Sequence, residues 1–100
     1  MRCKLWQIPL NNLPWWIVKN EKKIIEISDT IWRWAEVGLQ EIKTGKLCAD
    51  TLESEGVKVE RRIAGMASAF VAIWGSDKPV IGLMGELDAL PSLTPPHVRN

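Results

Sequence analysis

The hydrophobic period of this chain changes at Gly56, and this change constrains the fold more than any other feature. Before Gly56 the apolar residues recur at helical spacing. After it, Val57 and Val59 alternate with Lys58 and Glu60. A period of 3.6 residues places apolar side chains on one face of a helix, and a period of two places them on one face of a strand. The sequence therefore predicts an α/β protein with two N-terminal helices packed on a short mixed sheet.

The two helices are predicted over residues 14–37 and 41–55. The apolar face of the first comprises Ile24, Ile27, Ile31, Trp34 and Ala35. Gly38 and Gly56 follow the two helices, at the position where glycine commonly ends a helix. Gly45 lies inside the second helix and costs about 1 kcal/mol relative to alanine. We therefore expect the first turn of that helix to be frayed.

Three strands are predicted after the helices, over residues 57–62, 69–74 and 80–84. A Gly- and Pro-containing turn at residues 75–79 makes the third strand an antiparallel neighbour of the second. Val80–Met84 shows no alternation, which is typical of a strand covered on both faces. The two helices can cover one of these faces, so the other requires a partner or more chain.

The ends of the chain lack these periods. Residues 1–13 are predicted to be an irregular leader, and residues 94–100 an irregular tail. The leader contains Trp6 and could alternatively anchor the chain at a membrane surface. Pro9 and Pro14 argue against the continuous amphipathic helix that such an anchor uses.

Composition excludes several classes of protein. The chain has 100 residues and a formal charge of +1, which suits one small domain and gives no basic stripe for nucleic acid. The longest apolar stretch, residues 64–75, is shorter than the roughly 20 residues of a membrane span. No export signal is recognised. Cys3 and Cys48 belong to no Cys-x-x-Cys pair and are predicted to be reduced thiols. We therefore expect a cytoplasmic protein.

An acidic loop, Gly85–Pro91, carries the candidate site residues. Glu86 and Asp88 are two residues apart, so both side chains would project to the same side if the strand continued. Paired carboxylates at a strand end suit the orientation of a metal ligand or general acid–base chemistry. Solvated loop carboxylates are the alternative on spacing alone. His97, between Pro96 and Val98, is expected to be exposed and without a ligand role.

Three further polar residues, Glu36, Gln40 and Glu41, cluster between the two helices. Glutamate at the start of a helix can cap its N–H groups and interacts favourably with its dipole. Capping explains these residues without catalysis.

The order of several motifs resembles the zinc-dependent amidohydrolases related to aminoacylase and glutamate carboxypeptidase, and within them the aminobenzoyl-glutamate hydrolase-like branch. The resemblance covers residues 17–93. Its motifs are Ile24–Trp32, Ala35–Glu41, Leu52–Val59, Ala64–Met66, Ala69–Ala72, Lys78–Gly82 and Gly85–Pro91. It implies that residues 14–93 are the N-terminal part of a three-layer catalytic domain.

The resemblance also implies a chemistry. Full-length members hydrolyse the amide bond of N-acyl or N-aminobenzoyl amino acids, with two divalent metals (zinc) and a glutamate base. By motif, Asp88 matches the aspartate that orients the metal centre. Glu86 stands where other branches carry a metal-ligating histidine. The later Cys, His and Glu-Glu elements of the family have no counterpart here, and Ser92 replaces the usual glycine.

These departures lead to a specific expectation. The chain is predicted to be an N-terminal fragment that holds no metal and is inactive alone. The alternative is an interaction module that docks a partner, or the rest of a split hydrolase, on the Val80–Met84 surface. We also expect marginal stability and a tendency to self-associate, because apolar strand surface is left uncovered.

Overall fold

The computed structural model describes residues 13–91, and these contain two helices and two paired strands. The elements are α1 (Leu13–Trp34), α2 (Ile42–Ser54), β1 (Lys58–Arg61), a 3-10 turn (Ile63–Gly65) and β2 (Phe70–Ile73). The predicted mixed α/β class and the partial-domain architecture are confirmed. The predictions for the leader, Cys3, His97 and the tail lie outside the described residues.

Helix α1 ends at Trp34, three residues before the predicted end. Ala35 still donates its N–H to the carbonyl of Ile31 at 3.1 Å, but its φ of 43° lies in the left-handed region. A left-handed residue cannot continue a right-handed helix, so the chain turns here. Of the predicted apolar face, Ile27 and Ile31 are half-buried, whereas Ile24 remains 45% exposed.

Helix α2 occupies almost the predicted range and contains the most buried residues of the described structure. Thr44 and Ala49 are each 1% exposed, and Gly45 is buried between them. The expectation of a frayed first turn is wrong, since the Gly45 N–H donates to the Glu41 carbonyl at 2.9 Å. A Cβ at Gly45 would lie 2.6 Å from the carbonyl oxygen of Ser68. Glycine stands here because the chain crosses the helix too closely for a side chain.

Strands β1 and β2 form an antiparallel pair. Lys58 faces Ile73 at one end of the ladder, and Arg61 faces Phe70 at the other. The two predicted strands over residues 57–62 and 69–74 therefore exist, each slightly shorter than expected.

The third predicted strand is wrong. Residues 80–84 form no strand, and in the described part of the chain no strand pairs with them. Val80 and Ile81 are 87% and 80% exposed, and Leu83 and Met84 are each 98% exposed. An apolar run indicates a segment that would be stable when buried, but a strand also needs a neighbour for its N–H and C=O groups. Residues 13–91 supply no such neighbour beside residues 80–84.

The sheet was predicted to contain both parallel and antiparallel pairs, but β1 and β2 pair antiparallel. The one parallel pairing found among the described residues is an isolated bridge between Val37 and Ala89.

Within residues 13–91, neither helix combines the length and the apolar character that crossing a bilayer requires.

Candidate functional site

The acidic loop, Gly85–Pro91, is tied to the segment that connects the two helices, Ala35–Glu41, which we call the helix joint. The Ala89 N–H donates to the Glu36 carbonyl at 2.7 Å, and Ala89 forms a parallel bridge with Val37. Asp88 Oδ2 would lie 3.9 Å from a Cβ placed on Gly38. Two segments about fifty residues apart in sequence therefore meet at the candidate site.

Glu86 and Asp88 lie on the solvent side of this loop. Both are exposed, whereas Leu87 and Ala89, which alternate with them, are half-buried. The alternation agrees with the shared side that their two-residue spacing predicts. The exposure of residues 86–89 therefore follows the two-residue period of an extended chain, with an isolated bridge at Ala89. The catalytic roles of the two carboxylates remain predictions.

Glu36 caps helix α2 from outside the helix. Its Oε1 accepts hydrogen bonds from the Thr44 N–H at 2.6 Å and the Thr44 hydroxyl at 2.7 Å. Its Oε2 accepts one from the Lys43 N–H at 3.1 Å. Burial acts to raise the pKa of Glu36, but the hydrogen bonds from Thr44 and Lys43 outweigh it and hold that pKa below its ordinary value. The predicted capping role of Glu36 is confirmed.

Glu41 secures the other side of the joint. Its Oε2 accepts a hydrogen bond from the Ser68 hydroxyl at 3.0 Å. The pKa of Glu41 is lowered by a hydrogen bond from its own backbone N–H and by the bond from Ser68. Gln40 contributes a backbone bond, from its N–H to the Val37 carbonyl at 3.0 Å. These bonds tie the joint to the loop at Ser68 and to its own backbone.

The backbone of the joint is strained at two positions. Ala35 and Leu39 have φ values of 43° and 66°, which cost of order 1 kcal/mol or more in residues other than glycine. Leu39 is 84% exposed, so packing of its side chain does not explain this conformation. Hydrogen bonds on both sides of the joint maintain it.

The described residues do not fit a complete metal centre. No group of three or more His, Cys, Asp or Glu side chains comes together within residues 14–91. Glu86 and Asp88 could contribute carboxylate oxygens or orient a ligand, but one loop alone does not surround an ion. Burial raises the pKa of the Cys48 thiol, which opposes the thiolate form that a metal would need.

Sequence reasoning found the two carboxylates but missed the pairing of Glu36 with Thr44 and the contact of Gly45 with Ser68. The members of the first pair are eight positions apart and match no local capping pattern. The second pair joins a helix to a loop. The presence of a glycine inside a predicted helix was the available signal for the close approach.

Comparison with known proteins finds two hydrolases. Over 78 residues the chain is 37% identical to a subunit of the p-aminobenzoyl-glutamate hydrolase of Escherichia coli (strain K12), a match that covers 78% of this chain and 16% of that protein. Over 73 residues it is 37% identical to thermostable carboxypeptidase 1 of Saccharolobus solfataricus, a match that covers 71% of this chain and 18% of that protein. These matches confirm the resemblance that the motifs indicated.

The chain spans less than a fifth of the length of each of these relatives. No family model matches it, and no solved structure matches it significantly. The relationship therefore rests on these two sequence matches.

Proposed function

Because this chain is related to the aminobenzoyl-glutamate hydrolase-like proteins, we propose that residues 14–93 form the N-terminal part of an amidohydrolase catalytic domain. Its contribution to the site is the acidic loop, and Asp88 is its principal functional residue. In this proposal the acidic loop belongs to the catalytic centre, and further polypeptide supplies the rest of the site.

The anchoring of the acidic loop is the observation that carries this proposal. A solvated loop would need no fixed backbone, yet the Ala89 N–H is held by the Glu36 carbonyl at 2.7 Å. The anchor lies directly beside Asp88 and leaves that carboxylate exposed. A carboxylate held at its backbone but open at its side chain is suited to orient a ligand or a substrate group.

The proposal includes the cofactor and substrate class of the family. The full-length protein would use two divalent metals, with zinc as the expected ion, to polarise an amide carbonyl and activate water. Asp88 would hold a metal-binding group in its orientation, and Glu86 would stand beside the ligands. The substrate would be an N-acyl or N-aminobenzoyl amino acid, or a similar dipeptide-like molecule, in the cytoplasm.

The 100-residue chain is proposed to be inactive by itself. Residues 14–91 contain no metal-binding group of three or more side chains. Their apolar segment Val80–Met84 is almost fully exposed in the same structure. Both features are expected of a domain that needs more polypeptide to cover its surface and to supply its remaining ligands.

Complementation tests this proposal. The chain would be co-expressed with the matched E. coli hydrolase subunit from which the corresponding residues have been deleted, and hydrolysis of p-aminobenzoyl-glutamate would be measured with added zinc. We expect activity with the wild-type chain and about 10- to 100-fold less with Asp88→Asn, the usual effect of losing a partner of a metal ligand. Asp77→Asn, at another exposed carboxylate, is the matched control and should retain activity.

Two results would contradict the proposal. Stoichiometric zinc binding by the isolated chain, with amide hydrolysis that chelation abolishes, would show that it is not inactive alone. Equal complementation by Asp88→Asn and Asp77→Asn would remove Asp88 from the site.

An interaction module is the second candidate function, and one observation favours it. Leu83 and Met84 are each 98% exposed, in a segment whose sequence is typical of a covered strand. Such a segment can add to the edge of a sheet in a partner, or to a second copy of the chain. Monomeric behaviour in sedimentation up to high concentration, with no partner recovered, would exclude this function.

A further inference from the structure

Glu36 connects the most buried part of the described structure to the acidic loop. Its carboxylate accepts three hydrogen bonds from the first turn of α2, from the N–H groups of Lys43 and Thr44 and from the Thr44 hydroxyl. Its main-chain carbonyl accepts the Ala89 N–H at 2.7 Å. One residue therefore holds α2 through its side chain and the acidic loop through its backbone.

We propose that Glu36 is a positioning residue for Asp88. The carboxylate of Glu36 fixes the helix joint against α2, and the fixed joint presents the Glu36 carbonyl to Ala89. Ala89 is the immediate neighbour of Asp88, so the direction of the Asp88 side chain depends on this bond. The inference rests on the proposed function, which makes Asp88 a site residue.

The hydrogen bonds from Thr44 to the Glu36 carboxylate can hold the helix joint in place because water cannot replace them. Thr44 is 1% exposed, so its hydroxyl would lose its partner if the Glu36 carboxylate moved away. A buried donor without an acceptor is costly. The Glu36 side chain is therefore restricted to one place, and with it the main chain of the joint.

The joint needs such a restraint because its own conformation is unfavourable. Ala35, directly before Glu36, has a φ of 43°, a region that residues other than glycine rarely adopt. Without the bonds to α2, this residue would relax toward negative φ and carry the Glu36 carbonyl away from Ala89. A simple helix cap would not have this effect on a segment fifty residues away.

Hydrogen exchange of the Ala89 amide in the 100-residue chain tests the inference. Thr44→Val removes the hydroxyl at nearly constant volume, whereas Thr44→Ser retains it. We expect Ala89 to exchange about tenfold faster in the valine variant, from the loss of a hydrogen bond to a charged group. The serine variant should exchange nearly as the wild type, which would be rescue by the conservative change.

A second matched pair examines Glu36 directly. In Glu36→Gln an NH₂ group replaces one of the two oxygens that accept hydrogen bonds from Lys43 and Thr44. This loss should also speed hydrogen exchange at the Ala89 amide. Glu41→Gln keeps a side-chain oxygen that can accept the hydrogen bond from the Ser68 hydroxyl, so this side of the joint stays bonded and Ala89 should be unchanged. The amides of the β1–β2 ladder serve as a reference within each molecule. If Glu36→Gln unfolds the β1–β2 ladder, the two Thr44 variants decide whether the Ala89 amide depends on the bonds to Glu36.

The outcomes separate this inference from the proposed function. Unchanged exchange at Ala89 in Thr44→Val, or equal acceleration in the serine and valine variants, would overturn the positioning role of Glu36. Faster exchange in the valine variant alone would support it. Loss of the Asp88 effect in complementation, with the exchange result intact, would refute the proposed function while the coupling of Glu36 to Ala89 remained.

Discussion

Helix α2 and the segment Val80–Met84 differ in burial. Other described residues cover the helix, whereas the segment is left exposed. Around α2, Thr44 and Ala49 are each 1% exposed, and the polar groups of Thr44 are bonded to Glu36. In the second region, four large apolar residues are at least 80% exposed. The apolar segment has the more hydrophobic sequence, yet it is the less buried region.

This comparison shows that burial requires a complementary surface as well as apolar side chains. The first turn of α2 is covered by the helix joint, through the Glu36 carboxylate, and by the backbone at Ser68. Residues 80–84 have no described strand beside them. The hydrophobic effect favours covering both regions, but only the first has its covering elements in the described structure.

The largest expected effect is at the tightest contact of the buried region. Gly45→Ala would place a Cβ 2.6 Å from the Ser68 carbonyl oxygen, and a backbone atom cannot move aside cheaply. Overpacking of this kind costs about 1–3 kcal/mol, against a gain in helix propensity of about 1 kcal/mol. We expect a net loss of stability, measured by urea denaturation.

Gly82→Ala is the matched control for that variant. A Cβ at Gly82 meets nothing within 4 Å, so its free energy of unfolding should stay within about 0.5 kcal/mol of the wild type. If Gly45→Ala were as stable as Gly82→Ala, the close packing around α2 would be refuted.

A smaller effect is expected from pH. The pKa of Glu36 is held below its ordinary value in the folded chain by the bonds from Thr44 and Lys43. The stabilisation is therefore complete above about pH 4.3, the ordinary glutamate pKa, and is lost as the pH falls through the lowered value. Urea unfolding at a series of pH values should show this decline.

Glu36→Gln should have a flatter acid dependence than the wild type, because the titrating group is gone. Glu41 and Asp50 also have lowered pKa values, so part of the decline will remain. An identical slope in the variant and the wild type would show that Glu36 does not contribute to it.

The smallest effect on folding is expected in the exposed segment. Leu83 is 98% exposed, so Leu83→Lys should change the free energy of unfolding by no more than about 0.5 kcal/mol. The same substitution should reduce aggregation, measured by light scattering, because a charge interrupts the apolar run. Ala49→Lys is the contrasting variant and should unfold the chain.

A loss of stability in Leu83→Lys comparable to that in Ala49→Lys would contradict the difference in burial between the two regions. It would mean that residues 80–84 are covered in solution, by a second copy or by another part of the chain.

Much of the fold could be predicted because it depends on local pattern. The helices appear within three residues of their expected ends, and the first two predicted strands are present. The acidic loop with Glu86 and Asp88 could be found from its residue types and spacing. The end of α1 at Trp34 was missed because the left-handed conformation of Ala35 has no signal in an alanine.

The amino-acid sequence by itself determined the α/β class, the position of the period change at Gly56, and the relationship to known hydrolases. These properties depend on residue order and on neighbours a few positions apart. The tertiary structure decided which glutamate caps α2, why Gly45 must be glycine, and that Ala89 is held by the Glu36 carbonyl. It also decided that Val80–Met84 lies exposed. Each of these depends on whether segments distant in sequence meet within residues 13–91, which tertiary packing sets and local preference does not.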